Sequence, residues 1–190
     1  MRILQSALVA ALVSIAPCTI AASPTSVGIF FDVDATDCDA SVPQWAEFYL
    51  YVAAILGTDI GGGGITSASL SLQGIDPAWS PTMIANPAAS ITLGGPLDAQ
   101  IDVGFSTCQT SSPVLLFTVR CVMIPPLGPR LLRVARPFNP HWALAPMVSI
   151  CVPPTFPYIQ VPGGEAILNG GACTVGVEAG TWSSVKSMFR

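Results

Sequence analysis

Charge is what this sequence has least of: Asp, Glu, Lys and Arg together make up 9% of its 190 residues, against about 25% in an ordinary globular domain. Seven Lys or Arg face eleven Asp or Glu, for a net charge of −4. So few cations cannot neutralise a phosphate backbone, which excludes nucleic acid as a partner. His141 is the sole histidine, and the serines lie in Ser/Thr-rich runs without a nucleophile elbow, so no Ser-His-acid triad is drawn. The Cys-x-x-Cys spacing of zinc ribbons and thioredoxin-like sites is absent. The four glycines at 61–64 lack the Gly-Lys-Ser/Thr that would make a phosphate loop. No spacing among the acids selects a catalytic carboxylate pair. The sequence is read as that of a protein that is not an enzyme.

Long apolar runs are also scarce, and the clearest stands at the start. Residues 1–22 carry Arg2, an apolar stretch at 3–16, Pro17, and the small residues Ala21 and Ala22. This is the outline of a signal peptide, too short to span a bilayer. Its removal predicts a protein that is secreted, periplasmic or at the cell surface. No transmembrane segment remains after cleavage, because the apolar run at 113–124 is interrupted by Arg120 and ends in Pro125-Pro126. A second reading of the leader is a lipoprotein signal at Ile15-Ala16-Pro17-Cys18, in which Pro17 occupies the place of the small residue such a site needs.

Export places the cysteines in an oxidising compartment. Five lie beyond the leader, an odd number, so one is left over. Cys121 is expected to be the free thiol, since it alternates in phase with Leu115, Phe117, Val119 and Met123 on an apolar face. Cys38, Cys108, Cys151 and Cys173 lie in turn-like sequence and are expected to form bridges, Cys151 with Cys173 and Cys38 with Cys108. Three connectivities are open to four cysteines.

The 17 Gly and 18 Pro punctuate short β-rich runs. Strands are predicted at 27–33, 46–55, 65–75, 89–93, 100–105, 113–124, 131–135, 166–168 and 174–177, with turn signals between them. Residues 137–162 hold seven prolines and are predicted to be a loop-rich crossover. The fold class that follows is all-β, an antiparallel β-sandwich over residues 23–178. Residues 179–190 are predicted to form a short C-terminal amphipathic helix, with Trp182, Val185, Met188 and Phe189 along one side. That side either docks on the sandwich or serves as a tag that another protein grips.

Asp32, Asp34, Asp37 and Asp39 form the densest cluster with chemical potential. One reading is a calcium site, since closely spaced aspartates on a turn supply several oxygens. The other is a solvated turn, since the EF-hand spacing, its glycine and its terminal Glu are missing. No other cofactor is implied. Trp45, Trp79, Trp142, Tyr49, Tyr51 and Tyr158 raise a sugar-binding platform against plain packing. Tyr49 and Tyr51 share a strand face with Glu47 and form the exposed aromatic strip of that reading. The charges are segregated, with nine acids between Asp32 and Asp102 and the arginines at 120, 130, 133 and 136, which predicts opposite signs on neighbouring strands.

Thr181-Trp182, Val185-Lys186 and Met188-Phe189-Arg190 at the end, the 27–32 and 64–68 segments, Cys108-Gln109-Thr110 and 163–166 resemble small secreted proteins of uncultured bacterial lineages. That resemblance implies export and a sandwich domain, and it brings no catalytic residue. The strand order is also loosely similar to that of cohesin and immunoglobulin-like modules, a likeness of fold that does not carry function. Together these readings give a secreted, non-catalytic structural or binding module. Its expected partners are envelope or extracellular proteins or glycans. A carbohydrate-binding module using the aromatic strip is the alternative, and a hydrolase with a hidden carboxylate pair stands third.

Overall fold

The computed structural model describes residues 23–125 and 128–171. In chain order the strands are β1 Ser26–Phe30, β2 Asp39–Ala40, β3 Glu47–Ile55, β4 Ile65–Gln73, β5 Thr82–Ala85, β6 Ala89–Leu93, β7 Ile101–Gln109, β8 Val114–Val122, β9 Arg130–Ala135, β10 Met147–Ile150, β11 Tyr158–Gln160 and β12 Glu165–Leu168. The described residues contain no α-helix, only 3₁₀ turns at Thr58–Ile60 and Pro77–Trp79. The predicted leader at 1–22, the strand at 174–177 and the helix at 179–190 with Trp182, Val185, Met188 and Phe189 lie outside the described residues.

Two sheets face each other. One has four strands in the order β1-β3-β8-β5. The other has eight: β11-β10-β4-β9-β12-β2, with β7 on the remaining edge of β4 and β6 beyond it. Strand pairing is antiparallel except where β2 joins β12 in parallel, so the sandwich predicted to be antiparallel carries one parallel pair. The predicted crossover at 137–162 is also corrected, because it contains β10 and β11. These strands are too short to show a period of their own, and the ladders to β4 and to each other supply what propensity does not.

The alternation in β3 and β8 builds the core. Phe48 faces Cys121, Leu50 faces Val119 and Val52 faces Phe117, and all six are buried. The next pair is Ala53 with Leu115, so Leu116 is an extra residue in β8. That bulge breaks the phase expected for Leu115, which turns half outward, and sends Leu116 fully inside. From the facing sheet, Ala68, Leu70 and Leu72 enter the same core. Trp79 packs edge-on against Phe48, ring centres 5.6 Å apart. Cys121 is a free, buried thiol, and burial pushes its pKa up to about 12, which leaves it protonated and unreactive in the folded protein.

The disulfide within the described residues joins Cys108 to Cys151, with Cα atoms 6.0 Å apart. This corrects both expected pairings. Cys108 ends β7 and Cys151 follows β10, and those strands flank β4 on opposite edges. They converge where β4 begins, a meeting that closeness in sequence does not reveal. Gly64 lies under the bridge with φ +75°, and a Cβ there would stand 2.3 Å from the Gln109 carbonyl oxygen and 2.9 Å from Cys108 Sγ, so only glycine fits. Cys38 is also disulfide-bonded.

A carboxylate ties the start of the domain to the turn after β3. The Thr25 amide and hydroxyl both donate to Asp59 Oδ1, at 2.9 and 2.7 Å, and the Gly57 amide donates to the Thr25 hydroxyl at 2.9 Å. Burial pulls the Asp59 carboxyl upward, but these hydrogen bonds outweigh it and hold the group below its ordinary value of 3.8. A lowered native value means the latch stabilises the fold fully above 3.8 and is lost as pH falls through the native value. Asp59→Asn is therefore expected to flatten the acid limb of a plot of urea midpoint against pH. An acid limb of unchanged steepness would show that the latch contributes nothing.

Candidate functional site

The alternation that buries one side of the eight-stranded sheet leaves the other side open, and the strand register spells out what it presents. Across β6, β7, β4, β10 and β11, one outward row reads Leu93, Asp102, Ser69, Met147, Gln160. Another reads Ile91, Gly104, Ser67, Ser149, Tyr158. The row between them, with Val103, Ala68 and Val148, points into the core. The outer surface is therefore low in the middle, where Gly104 and three serines form the floor, and high at its margins. Ile91 leans over Gly104, where an added Cβ would meet its Cγ2 at 2.7 Å.

A loop closes over one end of this surface. β9 and β10 lie in line on the same edge of β4, flanked by the run from β11 into β12, with Val161 N–H donating to the Pro146 carbonyl and Val134 N–H to that of Gly164. Residues 136–146 leave the sheet in the gap between β9 and β10. The loop is pinned at several points: Ser71 Oγ donates to the Arg136 carbonyl at 2.7 Å, Phe138 N–H to the Ala99 carbonyl at 3.0 Å, and Leu144 N–H to Gln160 Oε1 at 2.8 Å. Gln100 links the loop to the floor. Its Oε1 accepts from Asn139 N–H at 3.0 Å, while its Nε2 donates to both Asp102 oxygens at 3.1 and 2.9 Å.

Two clefts flank the loop. The first, of about 270 Å³, lies between the loop and β11 and is lined by Ser69, Gln100, Asp102, Asn139, Trp142 and Tyr158, with Pro140 at its edge and buried Met147 beneath. The second, of about 320 Å³, includes Ser71, Leu97, Asp98, Arg136 and Phe138. Large side chains stand exposed around both: Trp142 at 61%, Phe138 at 63%, Tyr158 at 57% and Leu144 at 82%. Tyr158 lies toward the floor, its hydroxyl 3.4 Å from that of Ser67. His141 packs edge-on against Phe138, ring centres 5.1 Å apart.

The other sequence candidates are not gathered here. Asp32 accepts from the amides of Thr36 and Asp37 at 2.9 and 2.7 Å and from the Thr36 hydroxyl at 2.7 Å. These bonds overcome its burial and lower its pKa. Asp32 is thus spent on its own turn, and among the described residues Asp32, Asp34, Asp37 and Asp39 form no group able to hold a metal. On the opposite sheet Tyr51 packs partly on the core and the Tyr49 hydroxyl donates to Glu47, which pairs with Arg120 at 3.1 Å, so the strip on β3 is narrow and already engaged. Arg130 pairs with Asp76 at 3.3 Å, as the segregated charges imply, whereas Arg133 pairs at 2.7 Å with Glu165, an acid outside the 32–102 run. These pairs are exposed and stabilise little.

The aromatic residues of the first cleft, Trp142 and Tyr158, were among those singled out in the sequence, but its polar residues were not. The alternation of Ile101, Asp102 and Val103 marks Asp102 as outward. No sequence signal brings Gln100 and Asn139 to it, since they meet only because the loop folds back.

The sequence matches no family model and no curated protein sequence. Among solved structures the chain is similar to the seventh ScaB type I cohesin of Pseudobacteroides cellulosolvens, with a TM-score of 0.49 and 11% identity over 80% of this chain and 96% of that one. It is also similar to the cohesin module of a family 33 glycoside hydrolase from Clostridium perfringens, with a TM-score of 0.47 and 11% identity over 78% and 98% of the two chains. A third is the non-cellulosomal cohesin of Archaeoglobus fulgidus, with a TM-score of 0.43 and 13% identity over 79% and 93%.

Proposed function

We propose that this chain is an exported, non-catalytic binding module that engages an extracellular macromolecule through the outer face of its eight-stranded sheet. The observation that carries this reading is the gathering of exposed Phe138, Trp142, Leu144 and Tyr158 around a low, polar floor under a pinned loop. Large apolar side chains clustered on a rigid surface and rimmed by polar groups are the mark of a contact site. The hydrogen bonds that pin the loop engage its backbone at Arg136, Phe138, Asn139 and Leu144, so the surface is formed before a partner arrives and little ordering entropy is lost on contact. The sequence of residues 1–22 and the Cys108–Cys151 bridge both fit an oxidising compartment outside the cytosol.

The test compares the wild-type chain with Trp142→Ala/Tyr158→Ser on the proposed face and with Tyr49→Ala on the opposite sheet, measuring saturable binding to cell-envelope and culture-medium fractions of the source organism. The reading expects binding to be lost in the first variant and kept in the second. Equal binding by both variants would overturn it. So would turnover of substrates in a broad hydrolase panel that disappears when acids of the clefts are replaced.

A further inference from the structure

The first cleft has a chemistry more specific than a general contact surface. It combines two exposed aromatic rings, Trp142 and Tyr158, with one carboxylate, two carboxamides and a hydroxyl, from Asp102, Gln100, Asn139 and Ser69. No lysine, arginine or histidine lines it, so it offers no counter-charge to a phosphate, sulfate or carboxylate ligand. Its polar groups converge, so it does not suit a purely apolar anchor such as a leucine side chain or an acyl chain, which would leave them unpaired. At about 270 Å³ it holds a single small ring rather than a folded segment.

The hydrogen-bond inventory narrows the ligand further. Each Asp102 oxygen receives one bond from Gln100 Nε2, which fixes the carboxylate and leaves further lone pairs on both oxygens for incoming donors. The Asn139 side-chain amide and the Trp142 indole N–H make no hydrogen bond within the described residues, and both line or border the opening. The site therefore presents paired acceptors, an amide that both donates and accepts, and flat π faces with a negative quadrupole. A pyranose ring has the matching features. Its vicinal hydroxyls both donate and accept at the spacing of a carboxylate or carboxamide, and its axial C–H groups point toward a ring face as weakly positive donors.

Resting on the reading of this face as a binding surface, we propose that the cleft between residues 137–146 and β11 is a saccharide subsite for a neutral pyranose unit of a glycan. Trp142 and Tyr158 contact the sugar faces, while Asp102 and Asn139 take its hydroxyls. Gln100 is a positioning residue, holding Asp102 on one side and the loop on the other.

The experiment screens the purified chain on an array of neutral oligosaccharides and in affinity gels containing neutral polysaccharides, then titrates each hit by calorimetry. At least one neutral glycan is expected to bind, insensitively to added salt because no ion pair is involved. Trp142→Ala and Asp102→Asn are each expected to weaken binding by roughly tenfold, with Tyr49→Ala unchanged. All three positions are at the surface, so folding is retained and checked by melting temperature. Binding of a glycan that ignores both cleft variants would overturn the subsite. Absence of glycan binding would also overturn it. If envelope binding still depends on Trp142 and Tyr158 in that case, the face is a binding surface for a protein. If envelope binding is indifferent to them as well, the broader reading falls with it.

Discussion

Replacing Cys108 and Cys151 together by alanine is expected to lower the unfolding free energy by about 2–5 kcal/mol, which a urea titration reads as a lower midpoint. The bridge closes a loop with a sequence separation of 43, and loop-closure entropy for that length alone is about 4 kcal/mol. The loss is expected to be local before it is global. β10 holds to β4 by a short ladder with an irregular register at Ser149 and Ile150, whereas β3 and β8 share a long one. Amide exchange in β10 and β11 should therefore speed up well before exchange in β3 and β8. An unchanged midpoint would show that the ladder to β4 suffices without the bridge.

Phe117→Ala is expected to cost about 3–5 kcal/mol. Phe117 is fully buried on β8, opposite Val52 on β3 and Ala85 on β5. Its neighbour Leu116 is held inward by the bulge and is already buried, so it cannot swing round to fill the space. Phe117→Leu, which leaves a smaller void, should cost distinctly less. Chemical denaturation of both variants checks this, and a loss below about 1 kcal/mol for the alanine variant would mean that the two sheets collapse onto the gap.

What the sequence revealed followed the strength of local periodicity. β3, β4, β6 and β8 were legible because each alternates or runs apolar for long enough to fix its phase, and the arginines that pair with earlier acids were visible as segregated charge. β2, β5, β10 and β11 were not, since strands of two to four residues carry no period and owe their existence to a neighbour; β12, equally short, was marked by the Asn169-Gly170-Gly171 turn beside it. The disulfide was misassigned for a related reason: Cys108 and Cys151 are brought together by two strands flanking a third, which is topology rather than pattern. The cleft was half visible. Trp142 and Tyr158 announce themselves by type, but Asp102 was not singled out, and the Gln100 bridge to Asn139 and Asp102 depends on a loop whose return path no residue spacing encodes.

The gap between β9 and β10 separates what the scaffold needs from what the surface presents. Both halves of that interrupted line keep their register on β4, and the flanking run from β11 into β12 spans the break. The intervening segment therefore hangs from a frame that is already complete. Its length can change at little cost in closure entropy, which grows only slowly with loop length. The molecule is in this respect a frame with an exchangeable tip: exposed positions such as Phe138, Trp142 and Leu144 can change while the sandwich beneath stays as it is.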